Sequence, residues 1–257
     1  MELPLFTSAH FQTFFWVLLR VSVITFMLPF FGARGLPSLW KIGFAMVLTI
    51  VMLPTVPQPV VFPHSTIGFV VVVVSEVLTG FALALGVKFL LSSVQLAGKF
   101  MGFQMGFNMA SVMDPQTGGQ SSVMSQFLYL VTVLIFFSIN GHHAFIRALA
   151  YSFQAIPPNG FTLSGPIVMT LVKVSAEMFV IALKLSAPIL IALFLSNLGL
   201  GIVARTVPQV NILMVGFPVN IGLGLILLGI TMNNLSPFLV GLVRRMAEIL
   251  MRMIQMV

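Results

Sequence analysis

The chain has 257 residues, 59% of them hydrophobic and only 7% charged, with a mean hydropathy of +1.12 and a net charge of +7. A soluble domain carries about 25% charged residues, so the composition excludes a soluble globular fold and leaves an integral membrane protein. The chain has no cysteine, which excludes disulfides and thiolate metal sites, and its scattered Lys and Arg read as topology and lipid contact rather than nucleic-acid binding.

The start, Met1-Glu2-Leu3-Pro4, has no basic n-region and no small-residue cleavage site, so no removed signal peptide is expected. The first apolar run predicts a helix from His10 to Phe31, ended by Pro29 and Gly32. Arg20 lies inside it. A lipid-facing arginine there would cost about 2.5–3.5 kcal/mol, so Arg20 is expected to face protein or water. A second, short helix is predicted from Ser38 to Leu53, followed by a proline-rich loop, Thr55 to Ser65. A third begins near Thr66. Its valine run would suit a strand, but an open sheet edge is not viable in lipid, so helix wins. An uninterrupted helix from Thr66 to Val112 would be about 70 Å long, more than twice a ~30 Å hydrocarbon core. Either it breaks near Leu91–Gly98 or it is not confined to the bilayer. Glu76, Lys88 and Lys99 along it favour protein-facing or wet surroundings.

Gly98 to Ser122 is the most unusual stretch. Gly98, Gly102 and Gly106 form one ladder at a spacing of four, and Met101, Met105, Met109 and Met113 form another, so each follows a stripe on a helix. The glycines admit close helix packing, with Gly98 and Gly102 as its candidates. Met offers a soft surface that repacks. Asp114-Pro115 is expected to stop the helix, and Gln116 to Ser122 forms a polar connector with Gly118 and Gly119 as pivots. This stretch reads as a pore plug, with Met105, Gly106, Phe107, Met109, Met113, Asp114, Pro115, Gly118 and Gly119 as its gate residues.

A fourth helix is predicted from Ser122 to Ile139, with Ser121 or Ser122 as N-cap, then a short helix His142 to Phe153 and a breaker at Gln154 to Gly160. A fifth is predicted from Pro166 to about Leu195, kinked at Pro188. At about 100° per residue Lys173, Glu177 and Lys184 share one face within about 40°. With Glu76 they form a candidate buried charge set, read either as an internal ion-pair group or as a proton or ion relay. Ser196 to Asn211 is expected to be a tight polar turn holding Arg205. A sixth helix follows from Ile212 to Met232, broken at Asn233 to Pro237. The last segment, Pro237 to Val257, is amphipathic, with Arg244, Arg245, Glu248 and Arg252 in an arc of about 100°. The positive-inside rule orients the chain except for this arginine cluster, which falls on the wrong side and suggests docking on partner helices.

The chain lacks HExxH, GxSxG, Walker A and GxGxxG motifs, and Asp114 is its only aspartate. Adjacent His142 and His143 point about 100° apart on a helix, so they are expected to begin a helix rather than bind metal. No catalytic residue, cofactor or metal is expected.

Two stretches, Gly102 to Gln120 (GFQMGFNMASVMDPQTGGQ) and Ala204 to Pro218 (ARTVPQVNILMVGFP), together resemble the FliR family of flagellar export-gate proteins and its SctT-like virulence relatives. The likeness extends over nearly the whole chain. It implies an all-α polytopic membrane protein with long broken helices, a FliP-like N-terminal part over residues 1–160 and a FliQ-like C-terminal helical hairpin over residues 161–257, forming one integral export-gate unit. It implies one copy in a hetero-oligomer with FliP-like and FliQ-like subunits in the bacterial cytoplasmic membrane at the flagellar basal body, in contact with membrane lipid. The loop 106–122 would plug the channel taken by unfolded exported proteins. Arg205, Pro208, Gln209 and Asn211 would meet an FlhB-like switch protein. The flagellar branch is favoured by ARTVPQVN and the VGFP that follows. A virulence-type export gate, a purely structural assembly subunit, and a small secondary transporter using Glu76, Lys173 and Glu177 are the alternatives.

Overall fold

A computed structural model describes residues 8–28, 37–56, 60–107, 122–158, 160, 164–207 and 212–256. Among these residues the secondary structure is helical throughout: α1 Ser8–Met27, α2 Ser38–Met52 continued by a 3-10 turn Leu53–Thr55, α3 Thr66–Met105, α4 Val123–Ser138, α5 Gly141–Ala155, α6 Gly165–Thr206 and α7 Ile212–Gln255. Five helices are long and apolar enough to cross a membrane, and a sixth span is counted if α4 and α5 are taken as one broken crossing. The protein is polytopic and all-helical.

Two predicted breaks do not occur, and of the two readings open for α3 the unbroken one holds. α3 runs through Leu91–Gly98 without interruption for 40 residues, about 60 Å at 1.5 Å per residue. It holds no proline, and its glycines sit where neighbours approach rather than where the helix fails: a Cβ on Gly80 would lie 3.1 Å from the Arg20 carbonyl oxygen. α6 continues past Leu195 to Thr206, so Ser196 to Thr206 is helix and not turn. Ser196 and Asn197 use their side chains on Asn220 of α7 instead of competing for their own backbone. α7 continues through Asn233–Pro237 to Gln255. Pro237 removes one backbone bond, which membrane helices tolerate, while Leu235, Leu239 and Leu242 keep one buried stripe going across it. Pro188 also lies inside an unbroken helix.

Two compact units result. Unit 1 comprises Met1–Leu90, Asn140–Ser175 and Val243–Val257, and unit 2 comprises Leu91–Ile139 and Ala176–Leu242. In unit 1, Trp16, Val17, Val21 and Ile24 of α1 are buried. Phe15, Trp16, Phe62 and Phe69 pack ring to ring with centroids 5.3–6.0 Å apart. The incoming chain before α3 is tied to α1, where the Val60 and Phe62 amides donate to Thr13 Oγ1 (2.9 Å) and Gln12 Oε1 (2.8 Å). The end of α7 is amphipathic as predicted, with Met246, Leu250, Met253 and Ile254 buried and Arg244, Arg245, Glu248 and Arg252 exposed. In unit 2, α3 lies against α4, and α6 against α7.

Candidate gate region

α3 terminates in unit 2 by a defined cap. Gly106 adopts φ +88°, its amide donates to the Phe103 carbonyl (3.1 Å), and the Phe107 amide donates to the Gly102 carbonyl (3.0 Å). This is the Schellman pattern with glycine at the left-handed position, where a Cβ would be strained. The helix therefore stops at Met105, nine residues before the expected breaker at Asp114-Pro115. Met109, Met113, Asp114, Pro115, Gly118 and Gly119 lie outside the described residues.

The last turns of α3 are enclosed. Met101 and Met105 are fully buried. A Cβ on Gly98 would lie 2.6 Å from Ser125 Cα and 2.9 Å from the Met124 carbonyl oxygen, so the backbones of α3 and α4 touch there. Gly102 faces the Ser122 hydroxyl and Met124 Cβ. Ser125 Oγ donates to the Gln95 carbonyl (2.9 Å). Ser122 is the N-cap of α4 by position, but its side chain makes no capping bond, and its buried hydroxyl has no hydrogen-bond partner; Ser121, the other expected cap, lies outside the described residues. Ser122, the first described residue after Phe107, thus lies beside Gly102.

α7 closes the other side. A Cβ on Gly224 would meet Met105 at Cε (2.5 Å), Cγ (2.7 Å) and Sδ (3.0 Å), and one on Gly106 would meet the Phe217 ring at 2.6 Å. Asn220, between these two positions, is buried; it donates to Asn197 Oδ1 (2.7 Å) and accepts from Ser196 Oγ (3.2 Å). Phe217 and Gly224 were not marked by the sequence patterns as gate contacts, because long-range seating of this kind leaves no local period.

The expected buried charge set does not hold as a group. Glu76 is fully buried, but its partner is Arg20, two helices back in sequence. Arg20 Nε donates to Glu76 Oε2 (2.7 Å) and its Nη2 to Oε1 (2.9 Å). The remaining guanidinium N–H groups go to the Ser152 carbonyl (2.9 Å) and hydroxyl (3.3 Å) and the Ile156 carbonyl (3.0 Å), with the Phe153 ring 4.5 Å away. Arg20 therefore caps the end of α5 and pairs α3 at once, which satisfies the expectation that it faces protein. Lys173 and Lys184 are exposed and Glu177 is half-buried. Their stripe carries the lysine charges outward because the long lysine stems are not enclosed by this chain.

Arg205 is exposed in the last turn of α6, where a cation complements the helix dipole. Pro208, Gln209 and Asn211 lie outside the described residues. His142 and His143 have ring centroids 4.3 Å apart at the start of α5. No group of three metal-capable side chains occurs among the described residues.

Much apolar surface remains uncovered. Leu39, Trp40, Val47 and Ile50 of α2, Ile191, Phe194, Leu195 and Ile202 of α6, and Met214, Ile226 and Ile230 of α7 are each at least 57% exposed.

The family model described as "Bacterial export proteins, family 1" matches residues 11–246. The chain is 39% identical over 228 residues to the flagellar biosynthetic protein FliR of Bacillus subtilis, covering 87% of each chain. It is 31% identical to the Escherichia coli protein of that name, over 88% of this chain and 86% of the relative. With the Aquifex aeolicus protein of that name it shares 28% identity over 84% and 86% of the two chains.

Proposed function

Since the chain belongs to the FliR family of bacterial export proteins, and is thereby a non-enzymatic membrane component of the flagellar type III export apparatus, we propose that it lines and plugs the channel through which unfolded substrates cross the cytoplasmic membrane. The plug is the segment 106–122. One observation carries this reading: the feet of the segment, at Gly102–Phe107 and Ser122, adjoin in a tightly packed site. A Met- and Gly-rich segment whose flanking residues adjoin suits a stopper that moves without disturbing the helices that hold it.

The chain acts as one copy in a hetero-oligomer of FliP-like and FliQ-like subunits. Residues 1–160 correspond to a FliP-like part and 161–257 to a FliQ-like helical hairpin. The exposed apolar faces of α2, α6 and α7 support burial against lipid and partner helices in such an assembly. Arg205, Pro208, Gln209 and Asn211 contact an FlhB-like switch protein. The transporter alternative is disfavoured because Glu76, one of its two proposed carboxylates, is engaged by the Arg20 fork.

The test is deletion of Val112 to Gln120 in the complete export complex. Assembly is expected to persist while the membrane becomes leaky to small ions. A deletion that exports normally and stays tight in a conductance assay ends the plug reading.

A further inference from the structure

We infer that Phe217 and Gly224 of α7 form a socket that positions Met105 and Gly106, and so sets the point from which the gate segment departs; the inference rests on the plug reading above. Met105 is fully buried, and its distal atoms occupy the space that a Gly224 side chain would need, with Cε, Cγ and Sδ all within 3.0 Å of that virtual Cβ. One residue on, Gly106 turns the chain at φ +88° against the Phe217 ring. Its left-handed conformation requires glycine, and the ring occupies the side that a Cβ would fill. Cap and knob are thus held by the same helix.

The seating is specific to this register of α7. Gly222 and Gly229, on the same helix, would meet nothing within 4 Å if given a Cβ. Residues 217, 220 and 224 fall within about 60° on α7, and Asn220 at the centre is hydrogen-bonded to Ser196 and Asn197 of α6. The socket face is therefore anchored to a second helix between its two contact points. A methionine knob is suited to this place because it fills an irregular hole without directional bonds and is released by a small displacement of α7. Overpacking the hole forces either the Met105 side chain or the helix end to move, since backbone and ring cannot both yield.

The experiment uses the complete export complex in proteoliposomes and reads resting ion flux together with subunit content. Gly224→Ala is expected to raise the resting leak about tenfold, as a moderate overpacking cost borne by the closed state alone would, with subunit content unchanged. Gly222→Ala is expected to stay tight. Met105→Ala leaks as well, because the knob is gone. Adding Gly224→Ala in that background produces no further leak, because the Met105 atoms nearest the added methyl are then gone; a general loss of stability would instead add in both backgrounds. A tight Gly224→Ala complex, or the same increment with and without Met105, overturns the socket. If Gly224→Ala fails to assemble, Met105→Ala decides alone, and a tight Met105→Ala complex overturns it. The Val112–Gln120 deletion separates the two levels. A leaky deletion beside a tight Gly224→Ala refutes the socket and leaves the plug standing, whereas a tight deletion removes the plug and the socket's role with it.

Discussion

Replacing Arg20 with alanine is expected to be among the most damaging single changes outside the gate. The Arg20 fork donates to both oxygens of Glu76, to the Ser152 hydroxyl, and to the Ser152 and Ile156 carbonyls at the end of α5. Both charged side chains are at most 1% exposed. Arg20→Ala leaves a buried carboxylate with no counter-charge, a loss of about 3–5 kcal/mol. The pair itself is not the source of that figure. The double variant Arg20→Met with Glu76→Leu removes both charges and keeps the volume, which in other buried pairs is neutral or stabilising. Here it still takes the guanidinium donor from the Ile156 carbonyl, at about 1–3 kcal/mol, while the Ser152 carbonyl keeps the Ile156 amide at 3.0 Å. The expected order of stability is therefore wild type, then the double variant, then Arg20→Ala. The assay is denaturant titration in detergent micelles. The readouts are helix content and fluorescence from Trp16, which is fully buried one turn from Arg20, whereas Trp40 is 74% exposed and reports little. The reasoning fails if Arg20→Ala lies within about 1 kcal/mol of wild type, or if the double variant is no better than the single, since an uncompensated buried charge is what the cost is built on.

Other outcomes follow from the same packing. Gly98→Ala drives a Cβ against the α4 backbone and is expected to cost about 1–3 kcal/mol, seen as faster proteolysis of the complex. Gly43→Ala, where nothing lies within 4 Å, is expected to be neutral or to gain up to about 1 kcal/mol of helix propensity, measured by denaturant titration of the isolated chain in detergent. Asn220→Ala removes both polar links to α6 and is expected to cost about 1–2 kcal/mol. Because the chain has no native cysteine, a cysteine pair introduced across α6 and α7 reports the loosening as slower disulfide formation. Charge reversal at Arg205, exposed at the end of α6, is expected to weaken crosslinking to an FlhB-like partner without dissolving the complex; unchanged crosslinking removes that assignment.

The helical class, the approximate starts of α1 to α7, and the amphipathic end were legible in the sequence because they rest on apolar runs, helix-breaking residues and local period. The helix ends were less so. Asp114-Pro115 looked like the stop for α3, yet the single glycine at 106 ends it, since a left-handed φ with two capping bonds is sufficient without proline. At Ser196 to Asn197 and at Asn233 to Pro237, residues that punctuate soluble chains stay within helices. In the first case their polar groups find a partner on another helix, and in the second the buried leucines continue on either side. Arg20 and Glu76 were each visible as charges that lipid would not accept. Their mutual pairing was not, because 56 residues separate them and nothing local couples them. The same holds for Met105 with Gly224: Met105 was marked as a ladder residue, and only the fold brings Gly224 to it.

The most direct test of the central claim is the native mass of the detergent-solubilised complex that contains this chain. The account predicts a hetero-oligomer much larger than the 28.0 kDa chain, with a single copy of it among several FliP-like and FliQ-like subunits covering the apolar faces of α2, α6 and α7. A chain that runs as a monomer or a small homo-oligomer in mild detergent would contradict it.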